Sequence, residues 1–120
     1  MSTPVGPYSP VRRVGDWVIT SGQVGLEPRG AGLAPGGTLA ELRQALRNVA
    51  EVLAIEGATL DDVVKTTLYL VDMDEFGAVN EVWVETFTAN RPTRSAVAVA
   101  ALPIGARVEV EAWAHAPVTS

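Results

Sequence analysis

The chain has 120 residues, 48% of them hydrophobic and 19% charged, and a formal net charge of −5. That length supports one core rather than two independent ones, so residues 1–120 are expected to form a single domain. The absence of cysteine excludes a disulfide scaffold, a zinc-thiolate centre and thiol nucleophilic catalysis, and nine scattered basic residues argue against broad electrostatic binding of nucleic acid.

In chain order, the opening "PVGPYSPVRRVGD" is turn-rich and reads as an irregular surface segment up to Trp17. "WVITSGQV" reads as a strand that meets a bend or a close backbone approach at Gly22. "GLEPRGAGLAPGG" is a loop whose glycines lack phosphate-loop spacing. A helix should begin at Thr38, with Thr38 and Glu41 as a capping box, Leu42, Ala45, Leu46, Val49, Val52 and Leu53 on one side, and Gly57 as its stop. "VVKTTLYLV" has the β-branched content of a strand. Asp72 and Glu75 offer a second capping box for a helix over residues 74–88, with Phe76, Val79, Asn80, Trp83 and Phe87 at helical spacing. After Pro92, "RSAVAVAAL" and "ARVEVEAWA" are strands joined by "PIG".

This order predicts an α+β layer with helices on one sheet face and the other face left for a partner or for solvent. Side-chain alternation places Val97 and Val99 together, opposite Arg94, Ala96 and Ala98. The valine pair suits packing beneath the helices. In the last strand Val108, Val110 and Ala112 form one set, with Glu109, Glu111 and Trp113 opposite. The charged sets of both strands are therefore expected on the helix-free face, either wet or covered by another subunit.

Several polar residues have a structural and a functional reading. Asn80 lies on or beside an apolar stripe, where an unbonded amide is costly, and a loop carbonyl would satisfy it. Tyr8 reads as an aromatic lid on the core, and Thr20 and Ser21 as partners for backbone groups at the Gly22 bend. His115 has no neighbouring ligand pattern, so no metal site is expected. No stretch approaches membrane-spanning length, and the N-terminus is neither basic nor apolar, which suggests a soluble cytoplasmic protein with no membrane partner.

The order and spacing of "GPYSP", "VITSGQV", "NVAEVLAIEGATLDDVVKTTLYLVDMDEFGAVNEVW" and "RPTRSAVAVAALPIGARVEVEAWA" resemble the reactive-intermediate deaminases, the RidA/YjgF family, over nearly the whole chain. The resemblance implies a chorismate-mutase-like α+β subunit, with helices on one face of a mixed sheet, assembled as a homotrimer with sites at subunit boundaries. It implies hydrolysis of 2-imino acids such as 2-iminobutanoate or 2-iminopropanoate to 2-oxo acids and ammonia, without a cofactor. Residue by residue, it places the carboxylate-binding arginine at Arg94 and the water-handling glutamate at Glu109. Tyr8 matches the tyrosine of "GPY", Ser21 the serine of "SGQ", and Asn80 the asparagine of the "VN" element. Tyr8 and the main chain near Ser95 would arrange the polar end of the substrate, and Glu111 would serve the trimer interface.

Two features depart from the family pattern. Ala96 stands where many members carry cysteine, and the connection over residues 88–93 is short, which bears on the mouth of the site. A non-catalytic trimeric sensor or interaction protein for small carboxylates is the alternative. Ribonuclease activity, a label attached to some relatives, finds no basic stripe and no paired histidines to support it.

Overall fold

A computed structural model describes residues 6–30 and 32–118. The first residues of the turn-rich opening, and Ala31 in the glycine loop, lie outside them. Strands β1 (Val11–Val14), β2 (Trp17–Thr20) and β3 (Gln23–Val24) precede helix α1 (Thr38–Ile55). Then come β4 (Val63–Leu70), α2 (Phe76–Thr86), β5 (Thr93–Ala98) and β6 (Val108–His115). The sheet order is β1-β2-β6-β4-β5, with β3 also paired to β6. Only β4 and β5 run parallel among these pairs, so the sheet is mixed.

The core lies between the sheet and the two helices. All six apolar positions read along α1 are buried, and Leu42, Leu46, Val49, Val52 and Leu53 pack with Val18, Leu68, Leu70, Val79, Val108 and Val110 in one cluster. Each such side chain contributes about 1.5–3 kcal/mol on burial. The buried polar groups are used as ties: the Asn48 side-chain amide donates to the carbonyls of Val24 and Leu26 at 3.0 and 2.9 Å, fastening β3 and the following loop to α1. Among the described residues no buried side-chain polar atom lacks a partner.

Three local expectations are corrected. The segment before Trp17 is not irregular throughout: Val11–Val14 forms a hairpin with β2, turning at Gly15 and Asp16. Arg12 and Arg13 hid that strand, yet Arg13 donates to the Glu56 and Ala116 carbonyls and so belongs to the fold. The Thr38/Glu41 capping box is absent, because both side chains serve tertiary partners. Thr38 donates to Glu75 at 2.8 Å, and the Glu41 carboxylate accepts the Arg107 N–H at 2.9 Å. The second helix starts later than expected, at Phe76, after a single 3-10 turn over Met73–Glu75. There Asp72 accepts from the Asp74 N–H while Glu75 turns to Thr38 and Arg107.

Candidate functional site

Arg94 sits on β5, the edge strand, in register with Thr66 of β4, which in turn faces Ala112 of β6. Its side chain turns toward α2. One terminal N–H donates to the Asn80 Oδ1 at 2.8 Å, and the guanidinium carbon lies 5.0 Å from the Trp83 ring centre and 5.2 Å from that of Phe76. The amide oxygen of Asn80 thus takes its bond from Arg94. Aromatic faces tolerate a cation that an aliphatic wall would not.

This arrangement corrects the expected strand faces. Arg94 and Ala96 point to the helix layer, while Val97, 42% exposed, and Ser95 point away from it. A strand at the sheet margin is covered incompletely, and Trp83, Phe76 and Asn80 give that margin a lining suited to a guanidinium. The reading of β6 agrees with the structure: Val108, Val110 and Ala112 are buried beneath the helices, and Glu109, Glu111 and Trp113 face the other way.

Around Arg94 is an open concavity of about 360 Å³, lined by Asn80, Trp83, Val84, Arg91, Pro92 and Arg94. Burial pulls the Arg94 guanidinium below its ordinary pKa. Among the described residues the ion pairs are Arg43–Glu85 and Arg107–Glu75, and neither involves Arg94. A guanidinium oriented by a neutral amide keeps its remaining N–H groups for an incoming anion, and its planar fork matches a carboxylate.

Glu109 occupies the helix-free face beside Tyr69 of β4, whose other neighbour in register is Val97. Burial, and secondarily the charge of Glu111, push the Glu109 carboxyl above its usual range. Glu111 accepts the Tyr69 hydroxyl at 2.8 Å, and that bond pushes the phenol up. The pairing partner of β6 changes from β2 to β3 across Ser21 and Gly22, and the Thr20 hydroxyl fills the gap by accepting the Ala112 N–H at 3.0 Å. At this break Gly22 lies against the carboxylate: a Cβ there would come within 2.6 Å of the Glu109 Cδ.

Gly22 and Gly25 therefore test different things. A Cβ on Gly25 would meet the backbone of Glu41 in α1, 2.6 Å from its Cα, whereas one on Gly22 meets only the movable end of a side chain. Gly25→Ala is expected to cost about 1–3 kcal/mol of stability in thermal unfolding. Gly22→Ala is expected to keep the melting temperature within a few degrees, under about 1 kcal/mol, and to move the Glu109 carboxyl resonance and its titration in NMR. An unmoved Glu109 titration in a folded Gly22→Ala protein would contradict the contact.

The remaining predicted residues fall around the second group. The Ser21 hydroxyl donates to the Ser9 carbonyl at 2.6 Å and its N–H to the Pro10 carbonyl at 2.9 Å, so Ser21 ties the Tyr8 segment to the break beside Glu109. Tyr8 is 47% exposed and is not a lid on the core. Ser95 is exposed in register with Thr67, on the face that also carries Glu111. The structure thus brings Arg94 and Asn80 together on one side of the sheet, and Glu109 beside the Ser21–Gly22 break on the other. The sequence pattern alone does not single out Arg91 or Tyr69; for Arg91 the available signal is its position just before Pro92, in the short connection to Arg94. Among the described residues, no cluster of three or more His, Asp or Glu side chains is placed to hold a metal ion. No described helix is long and apolar enough to cross a membrane.

Comparison with known proteins gives the same outline. Residues 1–116 match the family described as Endoribonuclease L-PSP. The 2-iminobutanoate/2-iminopropanoate deaminase of Mus musculus is 48% identical over 110 residues, covering 92% of this chain and 82% of that protein. The crystal structure of RidA from the Antarctic bacterium Psychrobacter superposes with a TM-score of 0.90 at 38% identity, covering 94% of this chain and 91% of that one. Escherichia coli TdcF with bound serine superposes with a TM-score of 0.87 at 35% identity, covering 93% and 90%. The layer of two helices on a mixed sheet is the chorismate-mutase-like arrangement of these proteins, and with identity sustained over nearly its full length the chain belongs to the RidA/YjgF family.

Proposed function

We propose that the chain is a deaminase that hydrolyses 2-imino acids, such as 2-iminobutanoate or 2-iminopropanoate, to 2-oxo acids and ammonia. The observation that carries this reading is the Arg94 guanidinium, held by Asn80 over two aromatic rings in an open concavity and unpaired with any described carboxylate. The similarity to the mouse 2-iminobutanoate/2-iminopropanoate deaminase supports the same reaction. Since Arg94 and Glu109 lie on opposite faces of one sheet, the reading needs a neighbouring subunit, and in the homotrimer expected of this family the concavity of one single-domain subunit would meet the Glu109 face of the next.

In this scheme Arg94 grips the substrate carboxylate through two parallel hydrogen bonds and sets the imine carbon beside a water that Glu109 orients. The water oxygen bonds to that carbon, the π pair moves to nitrogen, and the water's proton passes to Glu109. The C–N bond then breaks as Glu109 returns the proton to the departing ammonia, and the hydroxyl proton passes to that ammonia, leaving the 2-oxo acid and ammonium. A protonated imine is already electrophilic, so orientation and proton transfer suffice. Tyr8, Ser21 and the Ser95 main chain arrange the polar end of the substrate, and Asn80 orients Arg94.

A protein that only senses small carboxylates would also use Arg94. Ammonia release from freshly generated 2-iminobutanoate separates the two: the deaminase accelerates it well above the spontaneous rate, and an unaccelerated rate from folded, oligomeric protein overturns the proposal. The ribonuclease description finds little support, since the one histidine of the chain, His115, stacks edge-to-face on Trp17 and has no partner for paired-histidine chemistry.

A further inference from the structure

The concavity around Arg94 holds a second cation. Arg91 follows the residue stretch that closes α2, and its own backbone and side chain fix it there: its N–H donates to the Ala89 carbonyl at 2.8 Å, and its Nε–H donates to the carbonyl of Phe87, the residue capping α2, at 3.1 Å. The terminal N–H groups of the guanidinium remain for another partner. Pro92 restricts the backbone immediately after it, so the two residues separating Arg91 from Arg94 form a short, stiff spacer.

The walls between the two arginines are apolar or neutral: Trp83, Val84 and Pro92, with Asn80 already bonded to Arg94. Among the described residues no aspartate or glutamate lines the space, although acidic residues outnumber basic ones fourteen to nine in the chain. Two guanidinium groups at one small opening repel each other unless an anion of matching charge lies between them. A carboxylate held by the two-pronged grip proposed for Arg94 is taken up by that guanidinium and leaves Arg91 without an anion of its own. A ligand with acid groups at both ends of a short methylene chain would satisfy both cations and rest its carbons on Trp83, Val84 and Pro92.

We infer that Arg91 is a specificity-determining contact of this site and that the preferred substrates are 2-imino acids with an acidic side chain, that is, 2-imino dicarboxylates. The inference rests on the deaminase reading for its reaction, but its recognition step is measurable without turnover. Calorimetry would compare 2-oxoglutarate with 2-oxobutanoate, two stable product analogues, on the intact protein and on Arg91→Gln and Arg91→Glu variants.

The intact protein is expected to bind the dicarboxylate about three- to tenfold more tightly at low salt, the gain of one partly solvated, charge-assisted contact. Arg91→Gln should bring that ratio near one, and Arg91→Glu should invert it. Added salt should narrow the preference of the intact protein. Absence of preference in the intact protein, or its persistence in both variants, overturns the inference and leaves Arg91 as a solvated surface cation. A preference that behaves as expected in a protein that does not deaminate 2-iminobutanoate or the matching 2-imino dicarboxylate would sink the deaminase reading while upholding Arg91 as an anion contact.

Discussion

Arg94→Ala is expected to lower kcat/KM for 2-iminobutanoate roughly a hundredfold or more while leaving the protein folded. Each hydrogen bond to a charged group is worth about 1.5–3 kcal/mol, and about 1.4 kcal/mol is a factor of ten, so loss of a two-pronged grip reaches that range. The fold should survive because Arg94 sits at the sheet margin and, among the described residues, its side chain bonds only to Asn80 and forms no ion pair whose breakage would strand a buried carboxylate. Thermal unfolding should shift by no more than the equivalent of about 1 kcal/mol. Arg94→Lys keeps the charge but not the planar fork, and should recover only a small part of the activity. Steady-state kinetics with an unchanged kcat/KM for Arg94→Ala would remove the guanidinium from the mechanism.

Glu109→Gln is expected to reduce kcat by about 10²–10⁴, the usual span for a general acid–base group, with a smaller effect on KM. The pH dependence has a defined sign. The carboxylate is the form that accepts the proton from water, and burial and then Glu111 push the carboxyl above its ordinary range. The acid limb of the rate profile should therefore lie at higher pH than an exposed glutamate would give. Glu111→Gln removes the second cause and should move that limb to lower pH.

Stability responds in the opposite sense. Between the ordinary carboxylate pKa and the raised one, the folded state holds the proton more tightly than the unfolded state, so stability falls as pH rises through that window. Glu109→Gln should then be at least as stable as the parent at neutral pH. That advantage should vanish below the ordinary carboxylate range, as denaturation at two pH values would reveal.

The sequence made much of this arrangement legible, and the limits have physical causes. The apolar positions of α1 recur at helical spacing and are all buried, and the alternation of β6 separated its valines from Glu109 and Glu111 correctly. Alternation divides a strand into two faces but does not say which face meets the helices. For β5 the charge of Arg94 pointed to the wrong one, because Trp83, Phe76 and Asn80 accommodate a cation at the edge. Thr38 and Glu41 had the local spacing of a cap, yet Glu75 and Arg107, far along the chain, took their side chains. The contact between Gly22 and Glu109 is equally nonlocal; the glycine signalled a close approach without naming what approached it.

The placement of guanidinium and carboxylate on opposite sides of one β-layer gives the polypeptide a divided inheritance: under the proposed chemistry, no isolated copy owns a complete reaction centre. Loss of either group should therefore be rescued by co-assembly with chains lacking only the other, because some boundaries would then unite two unaltered halves. The two defects would complement one another in a mixed population, although neither purified protein could work alone.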